Sequence, residues 1–187
     1  EAIFAAGGSA TIAPVDLLET DSIPRLAAAV AQRWGKLDLL LPNAAALGPL
    51  PATRASDPKE AAKTRAPNAS AQAALIGAFD PLLRKADNGR VIGLTSTVAR
   101  KPRAFWGLYG ATKAAFENLV LSYGEEVRNL TKVRVALLNP GATRTKMRAR
   151  AYPGEAPESV KPPEAVAERI VALLAEDFET GAFEALD

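Results

Sequence analysis

A tyrosine and a lysine four residues apart, Tyr109 and Lys113, open an apolar-striped segment of the sequence, LYGATKAAFENLV at 108–120. On a helix the two side chains lie on one face, one turn apart. A lysine ammonium close to a phenol favours the phenolate and lowers the tyrosine pKa from its usual value of about 10. Such a tyrosine can exchange a proton with an alcohol or a carbonyl oxygen. The alternative is an ordinary solvated helix face on which the pair has no chemical role.

The composition leaves few other groups for acid–base chemistry. None of the 187 residues is Cys or His, which excludes disulfides, thiol chemistry and the usual zinc ligands. Proton transfer near neutral pH must therefore use Tyr, Lys or carboxylates. Apolar residues make up 48%, charged residues 24% and the net charge is +2, a globular balance that does not by itself indicate nucleic acid.

Membrane and export signals are not found in the sequence. No apolar run approaches the roughly 20 residues that a membrane helix needs. The start of the sequence has no basic-then-apolar segment typical of export. We therefore expect a cytoplasmic protein with neither a membrane nor a nucleic acid as partner.

Short apolar runs alternate with helical patterns along the chain. Strands are predicted where apolar residues follow one another up to a turn signal, at 37–41, 90–96 and 133–139, with a weaker candidate at 10–16. Helices are predicted from periodicity and propensity at 21–35, 59–86, 109–130 and 163–176. This alternation predicts a parallel sheet covered on both faces, with the Pro-rich stretch 152–163 as a loop.

Individual residues mark the ends and breaks of these helices. Asp21 is the expected N-cap of the first helix, and Gly35 stands where a C-cap glycine belongs. Pro67 and Pro81 are expected to break or kink the second helix.

Small and polar residues follow three of the predicted strands, in PNAA at 42–45, TST at 95–97 and NPGATRT at 139–145. Ligands of parallel sheets bind outside the carboxyl ends of the strands. The helix that begins at Tyr109 follows the middle strand, so its first turn can face the same crevice. The sequence therefore predicts a ligand site that contains Ser96, Tyr109 and Lys113.

In these residues the sequence resembles the short-chain dehydrogenase/reductase family, Rossmann-type oxidoreductases that use nicotinamide cofactors. Tyr109 and Lys113 match its Tyr-x-x-x-Lys motif, and Ser96 precedes Tyr109 by thirteen residues, the usual interval of the family. Asn68 falls where the family has its active-site asparagine. The resemblance implies an α/β fold, a Rossmann-type doubly wound parallel sheet with helices on both faces, in a single domain over 1–187.

The resemblance also implies roles for these residues. Tyr109 would be the acid–base residue, and Lys113 would tune it and bind the nicotinamide ribose. Ser96 would orient the substrate oxygen, and Asn68 would hold a water in a proton relay. The implied reaction is hydride transfer between NAD or NADP and a small-molecule alcohol or carbonyl compound. The choice between the two cofactors and the identity of the substrate stay open.

Further residues resemble cofactor-binding positions of the family. Beside Tyr109 and Lys113, these are the adenine-contacting pair Asp16 and Leu17, the triplet Asn43, Ala44 and Ala45, and the nicotinamide loop with Pro140, Gly141, Thr143 and Thr145. Ala45 replaces a family glycine, which costs of order 1 kcal/mol only if its φ is positive. Pro67 predicts either a local helix distortion or a displaced Asn68.

One motif of the family is absent from the sequence. The glycine-rich turn Thr-Gly-x-x-x-Gly-x-Gly does not occur, and Gly7-Gly8 precedes a predicted strand instead of opening a helix. The resemblance thus implies that the sequence lacks the first β-α-β-α segment, roughly 40–60 residues, which we expect the encoded protein to contain. Without helix N-terminal amides for the pyrophosphate, the 187-residue chain is expected to bind dinucleotide poorly.

Two other functions stay open at this point. The missing turn fits a Rossmann-like binding or regulatory protein that retains the family residues without turnover. The long helices 59–86 and 109–130 fit, less well, a structural interaction domain. In the family these helices build oligomers, so the resemblance implies a homodimer or homotetramer through them.

The stretch TRTKMRAR at 143–150 is the densest basic cluster in the sequence. It predicts a solvated basic loop or, alternatively, contacts of one or two cations with an anionic substrate or with the cofactor phosphates. The candidate residues are Arg144, Lys146, Arg148 and Arg150.

Overall fold

The computed structural model describes residues 1–19 and 21–186 as an alternation of helices and strands. The α-helices are α1 (Ala2–Ala5), α2 (Ser22–Trp34), α3 (Pro58–Arg65), α4 (Ala71–Leu83), α5 (Thr97–Arg100), α6 (Gly107–Val127), α7 (Lys146–Ala151) and α8 (Pro163–Ala175). The strands are β1 (Leu39–Leu40), β2 (Arg90–Leu94), β3 (Arg134–Asn139) and β4 (Ala182–Ala185). Short 3-10 helices cover Thr53–Ala55 and Pro157–Ser159, and a π-helical turn covers Ala66–Ser70.

Four strands of the described residues form one parallel sheet in the order β1-β2-β3-β4. The pairing of β2 with β3 runs from Arg90 opposite Arg134 to Leu94 opposite Leu138. Since paired parallel strands run in the same direction, β2 and β3 end side by side at one edge of the sheet. The predicted α/β class with a parallel sheet is confirmed.

Helices cover both faces of this sheet. Successive residues of a strand point to opposite faces, so neighbouring apolar residues of β2 pack against different helices. Val91 packs into a core built with α4 and α6, in which Phe116 and Val120 are fully buried. Ile92, the next residue, lies in a second core together with Ile170 of α8. The sheet is therefore doubly wound, as the sequence predicts.

The sheet differs from the sequence prediction at two places. The segment 10–16 is not a strand, and only Val15 among its side chains is even half-buried. It therefore lacks the buried face that favours pairing. In contrast, Ala182–Ala185 pairs with β3, although its AFEA sequence alternates between half-buried and exposed positions. An edge strand of this kind gives no continuous apolar run, so the sequence pattern does not indicate it.

The predicted helix 59–86 is divided into α3, the π-helical turn and α4. Pro67 lies in that turn, because proline provides no N–H for the regular helical hydrogen bond. Asn68 follows it and is completely buried. Of the two alternatives, the local helix distortion is thus the one that the structure shows. Pro81 stays inside α4.

The two ends of α2 differ in how well the sequence predicts them. Gly35 ends the helix in the left-handed region, at φ 74°, as expected. Asp21 occupies the N-cap position, but its carboxylate makes no capping hydrogen bond with the described residues. The Ser22 hydroxyl instead donates to the carbonyl oxygens of Asp16 and Glu19. The N-cap position is therefore predicted correctly, but the hydrogen bond that usually accompanies an aspartate there is not formed with the described residues.

The basic stretch predicted as a loop forms α7. The Thr145 hydroxyl caps this short helix, accepting the Arg148 N–H at 3.1 Å. The longest helix is α6, with 21 residues. Over residues 1–19 and 21–186, no helix combines the length and the apolar character needed to cross a membrane.

Candidate active site

A cavity of about 410 Å³ lies at the carboxyl ends of β2 and β3, within the range of about 300–1,000 Å³ typical of small-molecule sites. We call it the main cavity. Its walls come from the loop after β1, the end of β2, the first turns of α6 and the segment after β3. Predicted site residues that line it are Asn43, Ala44, Ala45, Ser96, Tyr109, Lys113, Pro140, Gly141, Thr143 and Thr145. The topology thus brings most of the predicted residues together.

Two predicted adenine contacts, Asp16 and Leu17, lie outside the main cavity. Asp16 is exposed, and its carboxylate accepts the N–H of Leu18 at 2.9 Å. Leu17 is half-buried against the apolar cluster between α2 and α4. The described residues place neither of them beside Tyr109.

Asn68 also lies outside the main cavity, and its side chain is bonded to the protein. The amide nitrogen donates to the carbonyl oxygen of Ala46 at 2.8 Å and to the Thr112 hydroxyl at 2.9 Å. The amide oxygen accepts the Ala46 N–H at 2.7 Å. Both amide protons are used, so the side chain cannot donate to a relay water. Through these bonds the Asn68 side chain ties the loop after β1 to α6; a relay water held by Asn68 stays a prediction for its backbone.

The Tyr109 hydroxyl faces the main cavity from the first turn of α6. The residue is 6% exposed, and its hydroxyl lies 3.9 Å from the sulfur of Met147. Trp106 packs edge-on against the tyrosine ring, with the ring centres 5.8 Å apart. Burial raises the pKa of Tyr109 to about 12, because the phenolate would lose its hydration.

The Lys113 ammonium is directed towards the sheet. It donates to the carbonyl oxygen of Leu94 at 2.8 Å and lies 4.9 Å from the centre of the Phe116 ring. Burial lowers the pKa of Lys113 to about 8, against the opposing effect of the Glu117 carboxylate. The expected lowering of the Tyr109 pKa by Lys113 is therefore wrong for this structure, because burial dominates both groups.

Ser96 connects β2 to α5 with extended backbone, at φ −157° and ψ 149°. It is half-buried and lines the main cavity together with Tyr109 and Lys113. Its hydroxyl does not cap α5 within the described part of the chain. A ligand oxygen can therefore take the Ser96 hydroxyl as a hydrogen-bond partner.

A buried carboxylate, Glu117, lies behind Lys113 and is absent from the residues predicted from sequence. Glu117 is 7% exposed and accepts the Thr95 hydroxyl at 2.7 Å. Its second oxygen pairs with the Arg100 guanidinium at 2.7 Å. The sequence feature that could have indicated Glu117 is its position four residues after Lys113, one helical turn away on the same face. Held in this way, Glu117 favours the charged form of the lysine.

The segment after β3 is fixed by Asn139, a second residue that was not predicted. The Asn139 amide nitrogen donates to the Thr97 hydroxyl at 3.0 Å, and its oxygen accepts the Gly141 N–H at 3.1 Å. Gly141 has φ 63°, and a Cβ there would collide with the carbonyl oxygen of Leu186. Glycine is thus required both by the backbone conformation and by the close approach of the C-terminal segment.

Helix α7 supplies another wall of the main cavity, through Met147, Arg148 and Ala151. The Arg148 guanidinium pairs with Glu155 at 2.6 Å and lies 3.8 Å from the centre of the Tyr152 ring. Tyr152 stacks on Trp106, with the ring centres 5.7 Å apart. These contacts connect α7 to the residue that precedes α6.

Comparison with known proteins agrees with this fold. The sequence model of the family described as short chain dehydrogenase matches residues 1–156. The uncharacterized oxidoreductase YciK of Escherichia coli (strain K12) is 34% identical over 165 residues, which are 87% of this chain and 65% of YciK. The chain therefore belongs to the short-chain dehydrogenase/reductase family. It spans less than two thirds of the length of this relative.

Solved structures of the family share the fold. The short chain dehydrogenase of Salmonella enterica serovar Typhi CT18 has a TM-score of 0.87 at 33% identity, over 91% of this chain and 72% of that one. A structure from Escherichia coli CFT073 complexed with NADPH has a TM-score of 0.86 at 34% identity, again over 91% of this chain and 72% of that one. The described sheet and its helices therefore correspond to a large part of a short-chain dehydrogenase.

Proposed function

We propose that the encoded protein is an NAD(P)-dependent oxidoreductase that interconverts an alcohol and a carbonyl compound. The observation that carries this proposal is that Ser96, Tyr109 and Lys113 line one cavity at the carboxyl ends of the central strands. Membership of the family supports the oxidoreductase class. The related structure complexed with NADPH supports a nicotinamide cofactor.

The residues of the main cavity fit the nicotinamide end of such a cofactor. An ammonium has three N–H donors, and within the described residues Lys113 uses one of them, on Leu94. The other two suit the hydroxyls of a ribose. The Thr145 hydroxyl accepts a backbone N–H and keeps its own proton for a ligand. When bound, the nicotinamide ring supplies or accepts the hydride. Asp16 and Leu17 stay a prediction for the adenine end.

In the reducing direction, Tyr109 donates its proton to the carbonyl oxygen while the carbonyl carbon receives the hydride. With a pKa of about 12, Tyr109 is protonated throughout the neutral range and is ready to act as an acid. The Ser96 hydroxyl donates to the same oxygen and stabilises its developing charge. The charged Lys113 stabilises the phenolate that is left, which then recovers a proton from solvent. Oxidation of an alcohol runs through these steps in reverse.

The proposal is tested by adding NADH or NADPH and a panel of aldehydes and ketones to the encoded protein and following the absorbance of the reduced cofactor. Turnover that is lost in Tyr109→Phe supports the proposal. Cofactor binding without turnover of any carbonyl would favour the second candidate, a Rossmann-like binding protein.

The dependence of the reduction on pH is expected to follow Lys113. Its pKa of about 8 means that the ammonium is charged below this pH and loses its charge above it. Because the charged form stabilises the phenolate, kcat/KM for reduction should fall as the pH rises through about 8.

Two variants are expected to change the fall of kcat/KM at high pH in opposite directions. Lys113→Arg keeps its charge at all these pH values, so the fall should disappear even though the rate itself is lower. Glu117→Gln removes a negative charge that raises the pKa of Lys113, so the fall should begin at lower pH. Identical profiles for the wild type and both variants would show that Lys113 does not control the rate.

The oligomeric state is a further proposal, a homodimer or homotetramer through the helices that span 59–86 and 109–130. Two large apolar side chains of the second range are exposed, Leu119 on α6 (37%) and Leu130 just beyond its end (76%), and Leu119 is the one that lies on the helix itself. Light scattering of the wild type and of Leu119→Arg tests it. A monomeric wild type, or an unchanged mass in the variant, would count against this surface.

A further inference from the structure

A second cleft, of about 370 Å³, lies between the loop after β1, α3 and α7, and we call it the side cleft. It shares Ala45, Leu47 and Met147 with the main cavity. Met147 is also the residue whose sulfur touches the Tyr109 hydroxyl. Met147 thus separates the two spaces, and its displacement would let a substrate bound at Tyr109 extend into the side cleft.

The side cleft carries an excess of positive charge. Its charged lining consists of three cations and one carboxylate, Lys63, Lys146, Arg150 and Glu60. Lys63 and Glu60 form an ion pair at 2.7 Å, so their charges largely cancel. Lys146 and Arg150 have no ion pair with any carboxylate in residues 1–19 and 21–186. Their spacing of four residues places them one turn apart on the same face of α7.

The other two cations of the basic stretch are placed differently. Arg148 lines the main cavity, but its guanidinium is held by Glu155 and lies against Tyr152. Arg144 is exposed and is not among the described residues that line either space. Of the four candidates named from sequence, Lys146 and Arg150 are thus the ones that combine a charge without an ion pair among the described residues with a cleft that shares walls with the main cavity.

We propose that Lys146 and Arg150 bind an anionic group of the substrate, a carboxylate or a phosphate, at the end remote from the reacting carbonyl. The proposal rests on the proposed function and names its substrate class: oxo acids or oxo phosphates and the corresponding hydroxy compounds. A charged group needs several polar contacts to leave water favourably, and two adjacent cations provide them.

The phosphates of the cofactor are the other anions that such cations can bind. The positions of the lining residues favour the substrate. Pro140, Gly141, Thr143 and Thr145, which resemble the nicotinamide loop, line the main cavity and not the side cleft in the described part of the chain. The side cleft instead shares Met147 with the main cavity, and the sulfur of Met147 lies against the Tyr109 hydroxyl that the reacting oxygen of a substrate must approach. The unbranched and flexible methionine side chain can move aside at low cost.

The test compares kcat/KM of the encoded protein for straight-chain oxo acids of increasing length, beginning with acetoacetate and levulinate, and for their methyl esters. We expect at least one acid to be reduced better than its ester, and added salt to weaken this preference. Lys146→Met and Arg150→Met should each lower kcat/KM for that acid about 3- to 10-fold and leave the ester unchanged. Arg144→Met, from the same basic stretch, is the matched control and should change neither.

Two outcomes would overturn this inference. In the first, acids and esters react equally well in the wild type. In the second, the Lys146 and Arg150 variants weaken NADPH binding and leave the acid preference unchanged, which would assign the two cations to the cofactor.

If no carbonyl is reduced at all, the proposed function fails and the side cleft is tested separately. Isothermal titration calorimetry of the protein with levulinate and with inorganic phosphate should detect binding. This binding should be lost in Lys146→Met/Arg150→Met. The absence of binding heat in the parent protein would overturn the anion site.

Discussion

Replacement of Tyr109 by phenylalanine is expected to lower kcat for carbonyl reduction by about 10²- to 10⁴-fold, the usual contribution of a positioned general acid. The substitution removes the proton donor and keeps the ring that packs edge-on against Trp106. The free energy of unfolding should change little, because among the described residues the lost hydroxyl contacts the sulfur of Met147 and makes no stronger hydrogen bond.

A second buried tyrosine on the same helix provides the matched control. Tyr123 is 7% exposed, and its hydroxyl donates to the Asp80 carboxylate at 2.8 Å, outside the main cavity. Tyr123→Phe should therefore cost about 1 kcal/mol of stability and leave kcat unchanged. Stopped-flow or steady-state absorbance of the reduced cofactor measures both variants. Near wild-type turnover in Tyr109→Phe would contradict the proposed acid–base role of Tyr109.

The sheet was predictable from sequence where burial is complete. Adjacent apolar residues such as Val91 and Ile92 serve opposite faces of a central parallel strand, which explains their continuous apolar run. An edge strand with exposed positions, such as Ala182–Ala185, has no such run and depends on pairing with β3. Strand formation there is decided by a partner that lies far away in the sequence.

The composition of the site was predictable because the carboxyl ends of parallel strands meet at one edge. This rule places Ser96 and Gly141 in the same cavity although 45 residues separate them. The role of Asn68 was not predictable, since it depends on Ala46 and Thr112, 22 and 44 residues away. The pKa of Tyr109 was mispredicted for a related reason. Spacing along a helix indicates proximity to Lys113, but the depth of burial, which raises the pKa to about 12, is set by the tertiary structure.

Phe116 is the core residue on which the Lys113 ammonium rests, and its truncation is expected to have the largest effect on stability. It is completely buried, and the ammonium lies 4.9 Å from its ring centre. The ring fills the space over Gly93, where an added Cβ would come within 2.9 Å of it. Phe116→Ala should therefore leave a cavity and lower the free energy of unfolding by about 3–5 kcal/mol. Urea denaturation measures this as a lower midpoint with an unchanged slope.

The control for this substitution is Phe105→Ala, which removes the same atoms from a side chain that is 58% exposed. Surface truncations usually change stability by no more than about 0.5 kcal/mol. Phe105 also has a φ of 67°, so the substitution keeps a Cβ in the same backbone conformation and tests the loss of the ring alone. Equal midpoints for the two variants would mean that Phe116 does not support the core between β2, β3 and α6. A large loss for Phe116→Ala alone would show that the packing beneath Lys113 stabilises the fold on which the candidate active site is built.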